Sequence, residues 1–288
     1  MKIIGLVNSK AGSVGPHGHH NLRAALARSG HHHVEILEFD RSHSASQLEH
    51  LRREAPDLLI AWGGDGTHRS VLEALGTSES RILNLPGGTM NLLTKWIHGD
   101  RPWSDVLSTA LETPVTRMLP GGTANGSLFF CAMVAGIPAR FAEAREDVRR
   151  GDLGRALQDT GAALDGVRTI HLATSYGEDR SHADHHFHTG NVIGALVGPL
   201  ALNGRMEVAR AALPSAVSVL EFAWTTFVSN WRNQPGVTMH PAESLFVEST
   251  DGSEIPAMVD GENIAVGPSL EVSFVENAAA CLVAARTG

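Results

Sequence analysis

The chain has 288 residues, with 42% hydrophobic and 19% charged residues, enough to bury a sizeable core in two ordinary domains. The 23 Lys and Arg residues against 31 Asp and Glu residues give a formal net charge of −8, the wrong sign for general binding to nucleic acid. The two cysteines fit no zinc or redox spacing, and no apolar run approaches the length of about 18 residues that a membrane-spanning helix needs. We therefore expect a folded cytoplasmic protein without a signal peptide, a transmembrane segment or a nucleic-acid partner.

The first third of the sequence alternates short apolar runs with amphipathic stretches, which is typical of a parallel sheet covered by helices. The expected strands are Ile3–Val7, Val34–Phe39, Leu58–Trp62 and Ile82–Leu85. The expected helices are Asn21–Ser29, Ser46–Glu54, Thr67–Leu75 and a short stretch at Leu92–Trp96. These elements form three consecutive βα units, so we predict a doubly wound α/β domain over residues 1–117.

From about Arg117 the pattern changes to short β-like runs separated by turn dipeptides such as Asn125-Gly126. This change predicts a second, mainly antiparallel β domain over residues 118–288. Two helical stretches interrupt it, at Ala142–Leu164 and Val217–Trp231. The second carries an apolar stripe, which we interpret as core packing in preference to a lipid-facing surface.

Ten of the sixteen histidines form three clusters in predicted loops. The clusters are His17, His19 and His20, then His31, His32 and His33, and finally His182, His185, His186 and His188 in a predicted hairpin loop over Arg180–His188. No cysteine or carboxylate completes a convincing zinc site around them. We interpret them as solvated loop residues.

The strongest local signal is Gly63-Gly64-Asp65-Gly66-Thr67, which joins the strand ending at Trp62 to the next helix. At such a strand end, glycines let the backbone approach phosphate, and the helix offers unpaired N–H groups. Thr67 can cap the helix or bind an oxygen. Asp65 repels bare phosphate, so we expect it to hold a Mg²⁺ that phosphates share. The alternative is a plain βα turn.

Two further segments follow predicted strands. Pro86–Asn91 follows the fourth strand and could share one crevice with the first glycine-rich motif, while Asn8–Ser13 follows the first strand and could close the crevice from the other side. The alternative for Asn8–Ser13 is an ordinary Ser/Gly-rich connection. Pro120–Asn125 repeats five of the six residues of Pro86–Asn91, but a hairpin and not a helix follows it. We assign this repeat to a structural turn.

Together these motifs resemble the diacylglycerol kinase catalytic-domain family, which comprises bacterial soluble lipid kinases and their sphingosine and ceramide kinase relatives. The resemblance covers nearly the whole chain and includes Asp260-Gly261-Glu262 near the carboxyl end. It implies a first domain that binds ATP, a β-sandwich-like second domain and an active site in the cleft between them. NAD kinases share the fold and the Gly-Gly-Asp-Gly feature, whereas Pro86–Asn91 favours the lipid-kinase branch.

The resemblance also implies roles for individual residues. The implied nucleotide contacts are Asn8, Ser9, Gly12, Gly63, Gly64, Asp65, Gly66, Thr67, Gly88, Thr89 and Asn91. Asp65 would lie near the Mg²⁺ of Mg-ATP, and Asp260 or Glu262 would be the general base for the lipid hydroxyl. In an extended segment these two carboxylates would point to the same face. Without the resemblance, Asp260-Gly261 is better interpreted as a type I′ hairpin turn between Ile255–Val259 and Ile264–Val266.

The chain departs from the family pattern at a few positions. Arg69 and Ser70 stand where an Asn-Glu pair is usual, Leu92 replaces an Asp, and Asn203 replaces a carboxylate that binds a structural magnesium in some members. We expect transfer of the γ-phosphate of ATP, with Mg²⁺, to the hydroxyl of a diacylglycerol-like or sphingoid lipid at the membrane surface. The alternatives are a NAD kinase-like enzyme and a nucleotide-binding protein that has lost turnover.

Overall fold

The computed structural model describes residues 1–136, 172–177, 188–201, 204–211 and 236–284. The chain divides into two compact units, the first formed by Met1–Gly121 with Glu276–Gly288, and the second by Gly122–Val275. The predicted helices at Ala142–Leu164 and Val217–Trp231, the histidines of the predicted hairpin at 182, 185 and 186, and Asn203 lie outside the described residues.

Strands and helices alternate in the first unit, as the sequence predicted. Its elements are β1 (Ile3–Val7), α1 (Gly18–Arg28), β2 (Val34–Glu38), α2 (Ser44–Glu54), β3 (Leu58–Gly63), α3 (Asp65–Leu75), β4 (Arg81–Pro86), α4 (Leu92–His98) and α5 (Trp103–Glu112). The four strands pair in parallel in the order β2-β1-β3-β4. Because β1, β3 and β4 are neighbours, the loops that follow them open at the same edge of the sheet.

Helices α1 and α5 pack apolar side chains against the strands in one core cluster of the first unit. In α1, Leu22, Ala25 and Leu26 are buried at helical spacing, and they share this cluster with Ile60 and Trp62 of β3. A fully buried Leu contributes about 1.5–3 kcal/mol relative to an exposed one, so this face anchors the helix to the sheet. Trp62 also stacks on Trp103 at the start of α5, with ring centroids 4.2 Å apart. This contact fixes the beginning of α5 beside the end of β3.

The remaining strands build the predicted antiparallel β structure. They are β5 (Pro114–Ala124), β6 (Ser127–Phe129), β7 (Ala132–Gly136), β8 (Leu172–Gly177), β9 (His188–Gly190), β10 (Val192–Leu196), β11 (Glu207–Ala211), β12 (Val237–Pro241), β13 (Ser244–Ser249), β14 (Ala257–Val259), β15 (Glu262–Ile264) and β16 (Ser269–Ala284). Six of them form an antiparallel sheet in the order β12-β11-β10-β7-β14-β15. In the second unit, β13 pairs antiparallel with both β16 and β8, and β8 pairs with β9.

Side chains from both groups of strands meet in one core. Ile193 and Val208 of the six-stranded sheet belong to the same buried cluster as Leu245, Val247 and Val272 of the other group. Two layers of antiparallel strands that share an apolar core form a β-sandwich-like arrangement. The predicted fold class, an α/β domain followed by an antiparallel β domain, is therefore confirmed.

The carboxyl-terminal strand does not stay in the second unit. The sequence-based division assigned all of residues 118–288 to the second domain, whereas Glu276–Gly288 groups with the first unit. The reason is that β16 continues until it pairs in parallel with β4, where Leu282 lies opposite Leu83. Ala280 N–H also donates to Gly76 O at 2.7 Å.

Within the described part of the chain, no helix combines the length and the hydropathy that crossing a bilayer requires.

Candidate functional site

The three loops that follow β1, β3 and β4 are hydrogen-bonded to one another. Asn8 Nδ2 donates to Thr67 Oγ1 at 2.9 Å, which joins the first loop to the start of α3. The backbone N–H of Ser13 donates to Gly87 O at 2.9 Å, which joins the first loop to the loop after β4. The structure therefore brings together the three amino-terminal motifs that the sequence singled out.

Close backbone contact between the second and third loops explains the glycine at position 88. A Cβ atom added to Gly88 would lie 2.7 Å from Gly64 Cα, a distance that real Cβ atoms do not adopt. A Cβ atom added to Gly64 would lie 3.4 Å from Gly88 Cα, which is an ordinary contact. A Cβ atom on Gly12 would lie 2.9 Å from Thr89 Oγ1. Packing of the loops on each other thus requires glycine at position 88, independently of any phosphate.

The carboxylate of Asp65 binds the backbone at the start of α4. It accepts hydrogen bonds from Leu92 N–H at 3.2 Å and from Leu93 N–H at 3.0 Å. Two of the four N–H groups that a helix start leaves without an intrahelical partner are thereby satisfied. Asn91 adopts a left-handed backbone, with φ of 54°, and its side chain binds both N–H and C=O of Gly88. Asp65 and Asn91 therefore hold the loop after β4 in shape.

A magnesium ion fits this place only in company with phosphates. Each oxygen of Asp65 accepts one hydrogen bond, so lone pairs remain for a cation or its water. Among the described residues, no group of three or more His, Cys, Asp or Glu side chains could hold a metal. Mg²⁺ commonly binds through one or two carboxylates plus substrate phosphates, and a single carboxylate is what the loops supply.

A row of buried polar residues that the sequence analysis did not identify lies beneath these loops. His68 of α3 and Asn84 of β4 are fully buried, and His98 of α4 is 2% exposed. His98 Nδ1 accepts from Ala284 N–H at 3.2 Å, so the proton of the neutral ring is on Nε2, which donates to Asn84 O at 2.9 Å. Burial lowers the pKa of His98 to about 4 and also lowers the pKa of His68. A polar Asn inside the apolar strand Arg81–Pro86 was the signal for this row.

The protein is expected to lose stability as the pH falls from about 6.5 towards 4, because the unfolded chain binds a proton at His98 that the folded chain resists. The contribution of this one residue is about 3 kcal/mol in the free energy of unfolding, fully present above pH 6.5 and lost as the pH falls through the folded pKa. Denaturant unfolding at a series of pH values measures it. His98→Gln keeps a donor and an acceptor without titrating, so its stability should fall less over this interval. An identical pH dependence in both proteins would contradict the assignment.

A cavity of about 190 Å³ adjoins the first and third loops. It is lined by Ser13, Pro86, Asn91, Lys95, Asp100, Arg101, Pro102 and Trp103. Arg101 donates to Thr109 Oγ1 at 2.6 Å, and Lys95 lies 3.5 Å from Asp100. The lining carries two cationic side chains and one carboxylate, that of Asp100, so its formal charge is positive and suits an anionic ligand. The sequence analysis missed both cations, because neither belongs to a recognised motif.

The structure places Asp260 in a tight turn of the second unit. Asp260 and Gly261 have φ angles of 47° and 85°, and they connect β14 to β15, where Val259 lies opposite Glu262. This is the type I′ hairpin geometry that was the alternative interpretation, and the segment is not extended. The Asp260 carboxylate accepts from the backbone N–H groups of Phe130, Cys131 and Ala132 at 2.7, 2.9 and 2.9 Å. Glu262 begins β15 and is half-buried.

The repeat at Pro120–Asn125 is a structural element, as predicted. Most of it lies in β5, and Asn125-Gly126 turns the chain into β6 with φ angles of 45° and 86°. A Cβ atom on Gly122 would lie 2.3 Å from the ring of Phe129. Gly122 is therefore a packing glycine.

Two of the departures from the family pattern, Arg69 and Ser70, have side chains that make contacts within α3. Arg69 pairs with Glu73 one turn later, at 2.9 Å, and Ser70 Oγ donates to Gly66 O at 3.0 Å. Leu92 contributes its backbone N–H to Asp65.

The part of the chain that contains the three loops and the parallel sheet matches a known protein family. Residues 2–118 match the family model of the diacylglycerol kinase catalytic domain. The matched segment contains the three loops, and the match agrees with the family that their motifs resemble.

Solved structures show the same fold over nearly the whole chain. A candidate diacylglycerol kinase from Bacillus anthracis str. Sterne superposes with a TM-score of 0.69 at 15% identity, over 98% of this chain and 97% of that chain. A crystal structure of a diacylglycerol kinase from the same organism gives 0.65 at 13% identity, over 98% and 96% of the two chains. No curated protein matches the sequence significantly.

Proposed function

We propose that the chain is an ATP-dependent kinase that transfers the γ-phosphate to the hydroxyl of a diacylglycerol-like or sphingoid lipid. One observation carries the proposal: three mutually bonded loops lie at the carboxyl-terminal edge of the parallel sheet, in a segment that matches the family model of the diacylglycerol kinase catalytic domain. The structurally similar proteins from Bacillus anthracis, which are described as diacylglycerol kinases, support the same substrate class.

The nucleotide is proposed to bind at the loops. The start of α3, preceded by Gly63 and Gly64, offers N–H groups and the positive end of the helix dipole to phosphate. Lys95 and Arg101 in the adjoining cavity add positive charge that can bind phosphate oxygens. When bound, Mg²⁺ would neutralise charge on the phosphates. Asp65 would hold the ion from the protein side.

Glu262 is proposed to accept the proton of the lipid hydroxyl. As this oxygen bonds to the γ-phosphorus, the bond from that phosphorus to the bridging oxygen breaks and ADP leaves, while the hydroxyl proton passes to the carboxylate. Asp260 is less suited to this role, because three backbone N–H groups occupy three of its roughly four lone-pair positions. The acceptor is a membrane lipid, so a cytoplasmic enzyme would meet it at the membrane surface.

A nucleotide-binding protein without turnover is the second candidate. This candidate is favoured because the carboxylates of two motifs bind the backbone. Asp65 accepts from the start of α4, and Asp260 accepts from the N–H groups of Phe130 and Ala132. In that case the loops would bind nucleotide while no carboxylate would serve catalysis.

One assay separates these functions. The purified protein is incubated with γ-labelled ATP and Mg²⁺, and separately with diacylglycerol, a sphingoid base, a lipid extract of the host or NAD. We expect label in a lipid product. Label in NAD would instead identify a NAD kinase-like enzyme, and ATP binding without transfer to any acceptor would identify the binding protein.

Asp65→Asn is expected to weaken binding of Mg-ATP more than binding of metal-free ATP, because the lost charge matters chiefly to the cation. The amide oxygen can accept from only one of the two N–H groups at the start of α4, so the free energy of unfolding should fall by about 1–3 kcal/mol while the protein stays folded. Isothermal calorimetry with and without Mg²⁺ measures both affinities. Equal losses for the two forms would mean that Asp65 acts only as the cap of α4.

A further inference from the structure

Glu38, the last residue of β2, holds both ends of the first loop. Its Oε1 accepts from Ser9 N–H at 3.0 Å and from Ser9 Oγ at 2.6 Å. Its Oε2 lies 2.7 Å from Nε2 of His19, in the first turn of α1. Ser9 stands at the entrance of the loop and His19 just after its exit. The carboxylate of Glu38 therefore connects the two ends of the first loop.

The position of Glu38 is itself fixed by the sheet. Glu38 lies opposite Val7 in the parallel pair of β1 and β2, directly beside the point where the first loop begins. Phe39 N–H donates to Val7 O at 2.7 Å, which continues the pairing one step further. Because strands are rigid relative to loops, the position of Glu38 in the sheet fixes where the first loop is held.

The first loop is hydrogen-bonded to the segments that follow β3 and β4. Lys10 N–H donates to Asn8 Oδ1 at 3.2 Å, an Asx turn that leaves Asn8 Nδ2 to donate to Thr67. Further along, Ser13 N–H binds Gly87 O. The Ser9 hydroxyl donates its proton to Glu38, and Ser9 is one of the residues that the sequence resemblance assigns to the nucleotide site.

We propose that Glu38 is a positioning residue for nucleotide binding: it holds Ser9 and His19 so that the first loop keeps the shape in which it meets the other two. This inference rests on the proposed nucleotide site. Glu38 acts through the loop and does not itself contact nucleotide. The assignment extends the set of functional residues to β2, which carries no recognised motif.

Glu38→Ala tests the proposal, because it removes the carboxylate that both Ser9 and His19 contact. Glutamine is unsuitable, since its oxygen can still accept from Ser9 and its amide can donate to the neutral His19 ring. We expect the dissociation constant for ATP to rise about tenfold, as hydrogen bonds to a charged group are lost. Turnover at saturating ATP should stay within about twofold, since the positioned group acts on binding and not on the chemical step. Glu35→Ala is the matched control, because Glu35 is exposed on the same strand. It should leave both quantities unchanged.

Hydrogen exchange gives a second measurement that needs no nucleotide. The backbone amides of Ser9, Lys10 and Ser13 should exchange faster in Glu38→Ala than in the parent and in Glu35→Ala. Ser9→Ala, which keeps the backbone bond to Glu38 but loses the hydroxyl, should give an intermediate effect on exchange and on ATP affinity, and it replaces Glu38→Ala if that variant does not fold.

The outcomes separate the two ideas. If the parent binds ATP and Glu38→Ala binds it equally well, the positioning role is wrong while the proposed function stands. Unchanged amide exchange in the first loop of the Glu38 variant would likewise show that the positioning role is wrong. If the parent binds no ATP, the proposed function is wrong, and the role of Glu38 in nucleotide binding is overturned with it.

Discussion

Glu262→Gln is expected to lower turnover by about 10² to 10⁴-fold while ATP affinity stays nearly unchanged. Glutamine has nearly the same size and keeps a hydrogen-bonding oxygen, but it cannot take the proton that the lipid hydroxyl releases. Initial rates at saturating ATP and lipid measure the first quantity, and calorimetry measures the second. Turnover at the parental rate would contradict the assignment of Glu262 as the base.

Asp260→Asn should be measured alongside Glu262→Gln, because we expect it to lower stability and not turnover. The amide can present only one oxygen to the three backbone N–H groups that now bind the carboxylate. Leaving a buried donor unsatisfied costs about 1–3 kcal/mol, so the free energy of unfolding should fall. If Asp260 were the base, turnover of the folded variant would fall as well, by an amount comparable to that expected for Glu262→Gln.

Asp251→Asn controls for charge removal in a neighbouring Asp-Gly turn. Asp251 accepts from Ser249 Oγ at 2.7 Å and from Ser253 N–H at 3.0 Å. Hydrogen bonds from the side chain of Ser253, the side chain of Ser249 and the backbone of Ser253 hold the pKa of its carboxyl below the usual range. It is exposed, and it belongs to none of the motifs. We expect parental turnover in this variant.

Periodicity in the sequence was enough to predict the parallel sheet and the helices that face it, because burial imposes the pattern residue by residue. Helix α1 nevertheless begins at Gly18, three residues before its predicted start at Asn21. A glycine is a poor helix former, yet a Cβ atom at position 18 would lie 2.6 Å from Val14 Cγ1 and 2.9 Å from Val7 Cγ1. Tertiary packing, which no local pattern records, decides this boundary.

Helix α5 was missed although its signal was present. Val106, Leu107 and Ala110 have helical spacing and are buried, and Pro102 immediately precedes the first turn. By contrast, the bonds from Asp65 to the start of α4 join residues 27 and 28 positions apart, and Glu38 meets Ser9 across 29 positions. The sequence could mark these carboxylates as unusual only through a motif, and Glu38 has none.

Gly64→Val is expected to reduce ATP affinity by at least about 100-fold while the protein stays folded, because two methyl groups would fill the space that a phosphate needs at the start of α3. Gly64 has an ordinary extended backbone, with φ of −94°, so an L side chain causes no backbone strain there. Gly64→Ala, whose Cβ would lie 3.4 Å from Gly88 Cα, should fold well and lose less affinity. Calorimetry with ATP and thermal unfolding together separate binding from stability.

Two other glycines provide matched controls for this substitution. Gly267 has no atom within 4 Å of an added Cβ, so Gly267→Val should leave both stability and ATP affinity unchanged. Gly122→Val, in the repeat of the third loop, should lower the melting temperature because its side chain meets the ring of Phe129, without a selective effect on the ATP affinity of the folded protein. The three variants share one substitution and differ only in what the new side chain meets. Parental ATP affinity in Gly64→Val would show that the glycine-rich loop after β3 is a packing turn and that the nucleotide lies elsewhere.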